Sequence, residues 1–200
     1  MTMRVAVAIS GRGSNLESLI RALDPGDAAE VVLVISDRSD AGGLNVARDH
    51  GIAAGVLADP GDPERWLQLL ERHAADLIVL AGYLRLVPAQ VIAAYRGRII
   101  NIHPALLPAF GGKGMYGKRV HRAVLASGAK ETGATIHLVD EVYDRGAVLA
   151  QARVPVLHDD TPETLAARVL EVEHRLLPAA VLAAAAAGHP VPLTFSSRTS

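Results

Sequence analysis

Short apolar runs recur along this chain, and most are followed by a segment of helical periodicity. VAVAIS (residues 5–10) leads to NLESLIRAL, VVLVIS (31–36) to LNVARDHG and LIVLAG (77–82) to VPAQVIAAY, and RIINIH closes the series at 98–103. Strands that read apolar on both faces need a sheet covered on both sides, and their alternation with helices makes that sheet parallel. The pattern predicts a doubly wound, mostly parallel α/β fold. Between the second and third of these strands lie a short GIAAGVL segment and a helix around residues 65–73. After Gly128 the rhythm changes to ETGATIHLV, a polar turn and GAVLAQARVPV, two runs close enough to add an antiparallel C-terminal extension to the sheet. A long helix follows, with Thr161 as cap, Pro162 in its first turn and Leu165, Val169, Val172 and Leu176 as its buried stripe. Pro178 is expected to kink or end it.

Half of the 200 residues are apolar, enough for one sizeable core, and no linker-like stretch divides the chain. The expectation is a single domain over residues 1–200, with a flexible tail from about 190 in the polar stretch LTFSSRTS. Lys plus Arg number 20 against 21 Asp plus Glu, so no basic field points to nucleic acid, and a small-molecule partner is expected. The absence of cysteine excludes disulfides, thiolate metal sites and a cysteine nucleophile, and fits a reducing cytoplasm. The apolar part of MTMRVAVAISGRG is too short for a signal peptide, no run has the length of a membrane span, and the alanines at 183–187 are strong helix formers.

SGRGSNL, residues 10–16, follows the first strand directly. Gly11 and Gly13 allow a tight turn that presents backbone N–H groups, and a helix opening at Ser14 or Asn15 adds the positive end of its dipole. Leu16 stands where a dinucleotide fingerprint has its third glycine, and the Lys-Ser/Thr of a P-loop is missing, so a phosphate monoester fits better than a dinucleotide. At the end of RIINIH, Asn101 and His103 point the same way along an extended strand, at the carboxyl end where open α/β sheets bind ligands. The amide can hold a developing oxyanion and the imidazole can move a proton near neutral pH. A histidine that acts as an acid needs a carboxylate beside it. Asp140, Glu141 and Asp144, in the turn between the two late strands, are all candidates, and spacing does not choose among them. On the last helix Glu171 projects to solvent, whereas Glu173 lies on the border of the buried face and could reach a ligand. His137 lies in a strand and His121 and His174 on helices, none at a metal-binding spacing, so no metal is expected.

These ordered motifs, from VAVAISGRGSNL through SDR, LAGYLRLV and NIHPALLP to TGATIHLVDEVYDRGAVLAQARVPV and EVEH, together resemble the folate-dependent phosphoribosylglycinamide formyltransferases of purine synthesis, over nearly the whole chain. The resemblance implies a Rossmann-like formyltransferase fold. It also implies transfer of the formyl group of 10-formyltetrahydrofolate, a co-substrate, to the amine of 5-phosphoribosylglycinamide, with no metal, in the cytoplasm, by a monomer or homodimer. It selects Asp144 as the acid that completes a catalytic set with Asn101 and His103, where a protonated His103 is kept charged by Asp144. It assigns Gly13, Ser14 and Asn15 to the substrate phosphate and Glu173 to the ribosyl-glycinamide part. Leu84, Arg85, Leu86 and Val87 line the folate pocket with Asn101, Asp140, Glu141 and Asp144. An arginine ahead of an aromatic residue touches folate in relatives, and Arg65, ahead of Trp66, is the matching pair in a region that looks shortened. The link AFGGKGMYGKRVH is longer than in many relatives, and its glycines and the cations Lys113, Lys118 and Arg119 suggest a loop that folds over the phosphate. Methionyl-tRNA formyltransferase and formyltetrahydrofolate hydrolase share the formyl chemistry. A dinucleotide-binding protein, with Asp37 as the ribose-binding acid, is the alternative from another class.

Overall fold

A computed structural model describes residues 2–195, apart from 24, 25 and 27. Thirteen elements alternate in the expected way: β1 (Met3–Ile9), α1 (Ser14–Ala22), β2 (Ala29–Ser36), α2 (Gly43–Asp49), β3 (Ala53–Val56), α3 (Pro63–Arg72), β4 (Leu77–Leu80), α4 (Ala89–Ala94), β5 (Ile99–His103), α5 (Lys118–Ala126), β6 (Glu131–Leu138), β7 (Val148–Pro155) and α6 (Pro162–Ala187). The strands form one seven-stranded sheet in the order β3-β2-β1-β4-β5-β6-β7. The first five run parallel, while β6 and β7 add in antiparallel fashion, as the change of rhythm after Gly128 predicts. GIAAGVL contributes β3 at one edge of the sheet.

Each face of the sheet has its own core. Val5, Val7 and Ile9 of β1 point to a cluster built with α1, α2, α5 and α6, whereas Ala6 and Ala8 point to a second cluster around Trp66, Leu69 and Leu70 of α3 and Val91 and Ile92 of α4. Successive strand residues point to opposite faces, so β1 feeds both cores at once and must be apolar throughout. That double burial is the physical source of the unbroken run VAVAIS. Helix starts follow local chemistry: the Asp62 carboxylate accepts from the N–H groups of Glu64 and Arg65 at 2.9 and 3.2 Å, with Pro63 beginning α3. Thr161 and Thr164 form a reciprocal capping box at α6, again with a proline in the first turn.

Pro178 does not end α6, which runs on to Ala187 and closes at Gly188 in the left-handed conformation. The continuation is held by packing, since Leu176, Leu177, Val181 and Ala184 are buried against the sheet on either side of the proline. Beyond the helix, the Leu193 N–H donates to the Leu149 carbonyl at 2.8 Å and Phe195 packs on the core. The rest of the expected tail, residues 196–200, lies outside the described residues.

The winding reverses between β1 and β4. From β1 the chain builds outward through β2 to β3, then returns to the other side of β1 with β4 and β5. Loops leaving the carboxyl ends of β1 and β4 therefore diverge and open a crevice.

Candidate active site

A cavity of about 390 Å³ occupies that crevice. Its lining joins residues from the loop after β1 (Arg12, Ser14, Asn15), the segment after β4, the end of β5, the turn between β6 and β7, and α6.

At one end is the glycine turn. Gly13 caps α1 with φ 85°, a left-handed conformation, and a side chain there would collide with the Gly43 backbone, its Cβ only 2.6 Å from that Cα. No side chain caps the helix, so the first-turn N–H groups beside Ser14 and Asn15 are presented to the cavity with the helix dipole behind them. The Asn15 Nδ2 donates to a Glu173 Oε at 2.7 Å, while the Asn15 Oδ1 is buried without a partner. Glu173 is itself buried, and that burial pushes its carboxyl up to about 7 against the opposing hydrogen bond from Asn15. Glu171, two residues away, is exposed, as the helical stripe predicts.

At the other end the wall is apolar. Leu84, Arg85, Leu86 and Val87 all line the cavity, joined by Val139 and Val142. Leu84 and Leu86 are 44% and 48% exposed and Val142 57%, so three large apolar side chains stand open at one mouth. The Arg85 Nε donates to an Asp37 carboxylate oxygen at 3.1 Å, and Asp37 is almost wholly buried. The acid that a ribose-binding reading would need thus holds the 84–87 segment through one oxygen and is not among the lining residues.

Between the two ends the polar groups meet. Asn101 and His103 close β5, and the antiparallel register sets His137 of β6 directly opposite Asn101. The Asn101 Nδ2 lies 2.9 Å from the His137 Nε2. The His137 Nδ1 stands 2.8 Å from the Leu138 carbonyl, which can only accept, so the neutral ring carries its proton on Nδ1 and accepts from Asn101 through Nε2. Asp144 sets one carboxylate oxygen 3.6 Å from the His103 Nδ1 and 3.4 Å from the His137 Nε2. Burial alone would raise the Asp144 carboxyl, but His137, His103 and the Gly112 N–H outweigh it and hold the group below the usual carboxylate range. For His103 burial wins: it lowers the imidazole more than Asp144 and the Phe110 carbonyl raise it, with His137 adding to the lowering. Burial thus works against the resting imidazolium that the resemblance implies.

Asp140 lines the cavity and accepts from the Val142 N–H at 2.9 Å, whereas Glu141 is exposed and is not among the lining residues. Arg65 is exposed on α3 and also outside the lining, while its neighbour Trp66 is fully buried and meets Tyr83 edge-on at 5.5 Å. Of the cations of the long link, Lys118 lines the cavity. Lys118 pairs with Glu163 at 2.8 Å, the Arg119 guanidinium lies 5.1 Å over the Tyr116 ring, and Lys113 is exposed outside the cavity lining. The link itself is docked on His103 and Asp144 through its backbone.

Two further histidines, for which the sequence pattern suggests no role, line the cavity. His137 enters through strand pairing, a relation that no spacing along the chain displays. His121 of α5 is buried, lines the cavity and has an unpartnered Nδ1. Its place on the inner face of a helix running toward Val124 was the available signal. Among the described residues no group of three or more histidine or acidic side chains could hold a metal ion.

Residues 3–181 match the family described as Formyl transferase. The chain is 46% identical over 181 residues to the chloroplastic phosphoribosylglycinamide formyltransferase of Arabidopsis thaliana, covering 86% of this chain and 62% of that protein. It is 36% identical to the Escherichia coli K12 phosphoribosylglycinamide formyltransferase, covering 88% and 84%. Among solved structures, the phosphoribosylglycinamide formyltransferase of Brucella melitensis superposes with a TM-score of 0.84 at 49% identity, covering 93% of this chain and 97% of that one. This chain spans only about three fifths of the length of the plant relatives it matches. A family match over most of the sequence, with the same fold in relatives of this identity, settles one point: the chain belongs to the formyl transferase family.

Proposed function

We propose that this protein transfers the formyl group of 10-formyltetrahydrofolate to the amine of 5-phosphoribosylglycinamide, giving formylglycinamide ribonucleotide and tetrahydrofolate in purine synthesis. One observation carries the reading: Asn101, His103 and Asp144 converge midway along a cavity with an anion cradle at one end and an apolar mouth at the other. The N–H groups beside Gly13, Ser14 and Asn15 suit a phosphate, and Glu173 with Asn15 suits ribose hydroxyls and the glycinamide. The apolar mouth around Leu84, Leu86, Val87 and Val142 fits a flat heterocycle, and Arg85, Asp140 and Asp144 offer it polar partners. The folate supplies a formyl carbon bonded to a nitrogen that can leave.

This chain's residues act on the two nitrogens and the carbonyl oxygen. The attacking amine must be neutral, and as it bonds to the formyl carbon the carbonyl oxygen takes on negative charge. Asn101 turns an amide N–H to that oxygen. The neutral His103 accepts the proton that the amine sheds, the imidazolium so formed lies beside the Asp144 carboxylate, and the proton passes to the nitrogen that departs as its bond to carbon breaks. No covalent enzyme intermediate is needed. The chain acts as a single formyltransferase domain in the cytoplasm on small molecules, as monomer or homodimer, with no nucleic acid or membrane partner. No described helix is long and apolar enough to cross a membrane.

Incubation of the purified chain with 10-formyltetrahydrofolate, with and without the glycinamide ribonucleotide, tests this. Formylated ribonucleotide and tetrahydrofolate should appear in equal amounts only when both are present. Hydrolysis without transfer, or no reaction, overturns the assignment.

A further inference from the structure

The segment Phe110, Gly111, Gly112 touches both members of the catalytic pair through backbone atoms. The His103 Nε2 lies 2.8 Å from the Phe110 carbonyl oxygen, and the Gly112 N–H donates to the other Asp144 oxygen at 2.8 Å. We propose that these three residues form a positioning strap that fixes the proton on the His103 Nε2 and leaves the Nδ1 as the only ring nitrogen able to exchange protons with the reacting atoms. The inference rests on the formyl-transfer reading and names which atom of the site carries its proton.

A carbonyl oxygen can only accept, so the partner nitrogen must carry hydrogen in the neutral ring as well as in the cation. The Nδ1 then holds the lone pair, 3.6 Å from the Asp144 carboxylate. Two electron-rich groups at that separation repel in the neutral ring and attract once a proton arrives between them. The strap thus makes Asp144 respond to the proton transfer itself. The charged or titratable groups facing His103 are Asp144 from the β6–β7 turn, His137 from β6 and His121 from α5.

The local backbone is shaped for this contact. Phe110 has φ 56°, a left-handed conformation costly for a residue with a Cβ, and so does Asp144 at φ 55°. Gly111 lies so close to the site that a Cβ there would stand 2.6 Å from the Leu107 Cδ2 and 3.1 Å from the Asp144 Cβ. A methyl at 111 requires the Leu107 Cδ2 to swing aside and the Asp144 Cβ to give by a few tenths of an ångström, which disturbs the strap where it meets Asp144. Gly111 is therefore a positioning residue.

The test uses the full chain labelled with ¹⁵N in its histidine rings, without ligands, and assigns the His103 signals by their loss in His103→Gln. Wild type should show a protonated Nε2 on both sides of its titration, with only the Nδ1 changing. A neutral ring protonated at Nδ1 overturns the proposal without any variant. In Gly111→Ala the ring should become a mixture of the two tautomers. The kcat for formyl transfer should fall roughly 100-fold, the scale of a displaced acid–base group, with both KM values within about twofold. An unchanged tautomer and kcat would also overturn it. The two readings fail separately: a chain inactive in transfer but held as the Nε2–H tautomer sinks the functional assignment alone, and an active chain with the opposite tautomer sinks the strap alone.

Discussion

Glu173 and Asn15 show how single residues at this site are poised between folding and function. Both are buried, one hydrogen bond from the Asn15 amide to the Glu173 carboxyl joins them, and the Asn15 Oδ1 is left without a partner. Because the folded-state pKa of Glu173 is raised from 4.5 to about 7, its protonated form is favoured in the fold. The associated stability is fully present below the unfolded value and is lost as pH rises through the folded one. Glu173→Gln should therefore raise stability at pH 8 by on the order of 2 to 3 kcal/mol, and not at pH 4.5, in urea unfolding monitored by circular dichroism. The glutamine can donate to the orphaned Asn15 Oδ1 once that amide turns over. The same variant should weaken ribonucleotide binding about tenfold by calorimetry, through loss of one of the two carboxyl oxygens that can accept from the ligand. His103→Ala carries the opposite expectation: turnover lost by at least about 100-fold, with both ligands still bound. Sequence reading reached Asn101, His103 and Glu173 because strand alternation and helical stripes are local regularities. His137 escaped it because its relation to Asn101 is a cross-strand register, set only when β5 and β6 pair.

Among the elements, α6 depends on what precedes it. Asp160 accepts from the Leu157 N–H, from the Thr164 hydroxyl and from both terminal nitrogens of Arg168, at 2.6 to 2.9 Å. Its side chain is nearly fully enclosed, and the paired guanidinium holds its carboxyl far below the usual range. A depressed carboxyl contributes stability above its unfolded pKa and loses it as pH falls toward the folded one. Asp160→Asn should cost about 2 kcal/mol at pH 7, seen as a lower Tm, with little change in KM because the pair lies outside the cavity lining. The existence and order of helices and strands followed from apolar period, capping residues and glycines. The continuation of α6 past Pro178 did not, because burial of Val181 and Ala184 against the sheet overrides a local breaker. The strand in GIAAGVL was hidden because it is short, lies at an edge and buries few of its side chains.

Over the whole molecule, two cores share the strands that separate them, so neither face can melt without exposing the other. Thermal unfolding followed by far- and near-ultraviolet circular dichroism should give one coincident transition. Acid should lower its midpoint from about pH 6.5 downward. His103, His121 and His174 all have lowered pKa values, chiefly through burial, so the unfolded chain takes up those protons first. Glu173 works against this trend, and the glutamine variant should lose more stability than wild type between pH 8 and pH 5.5. The class of fold and the convergence at a strand end were legible because β–α alternation leaves few topologies open. The seat of the long link was not, since its backbone bonds to His103 and Asp144 are contacts between distant residues that no spacing along the chain displays. The antiparallel pairing of β5 with β6 has one more consequence. Sliding these strands by a single position would turn His137 toward the opposite layer while leaving as many ladder bonds as before. Catalytic competence is thus a matter of alignment more than of content. A preparation indistinguishable from native by its secondary-structure spectrum could still be inert.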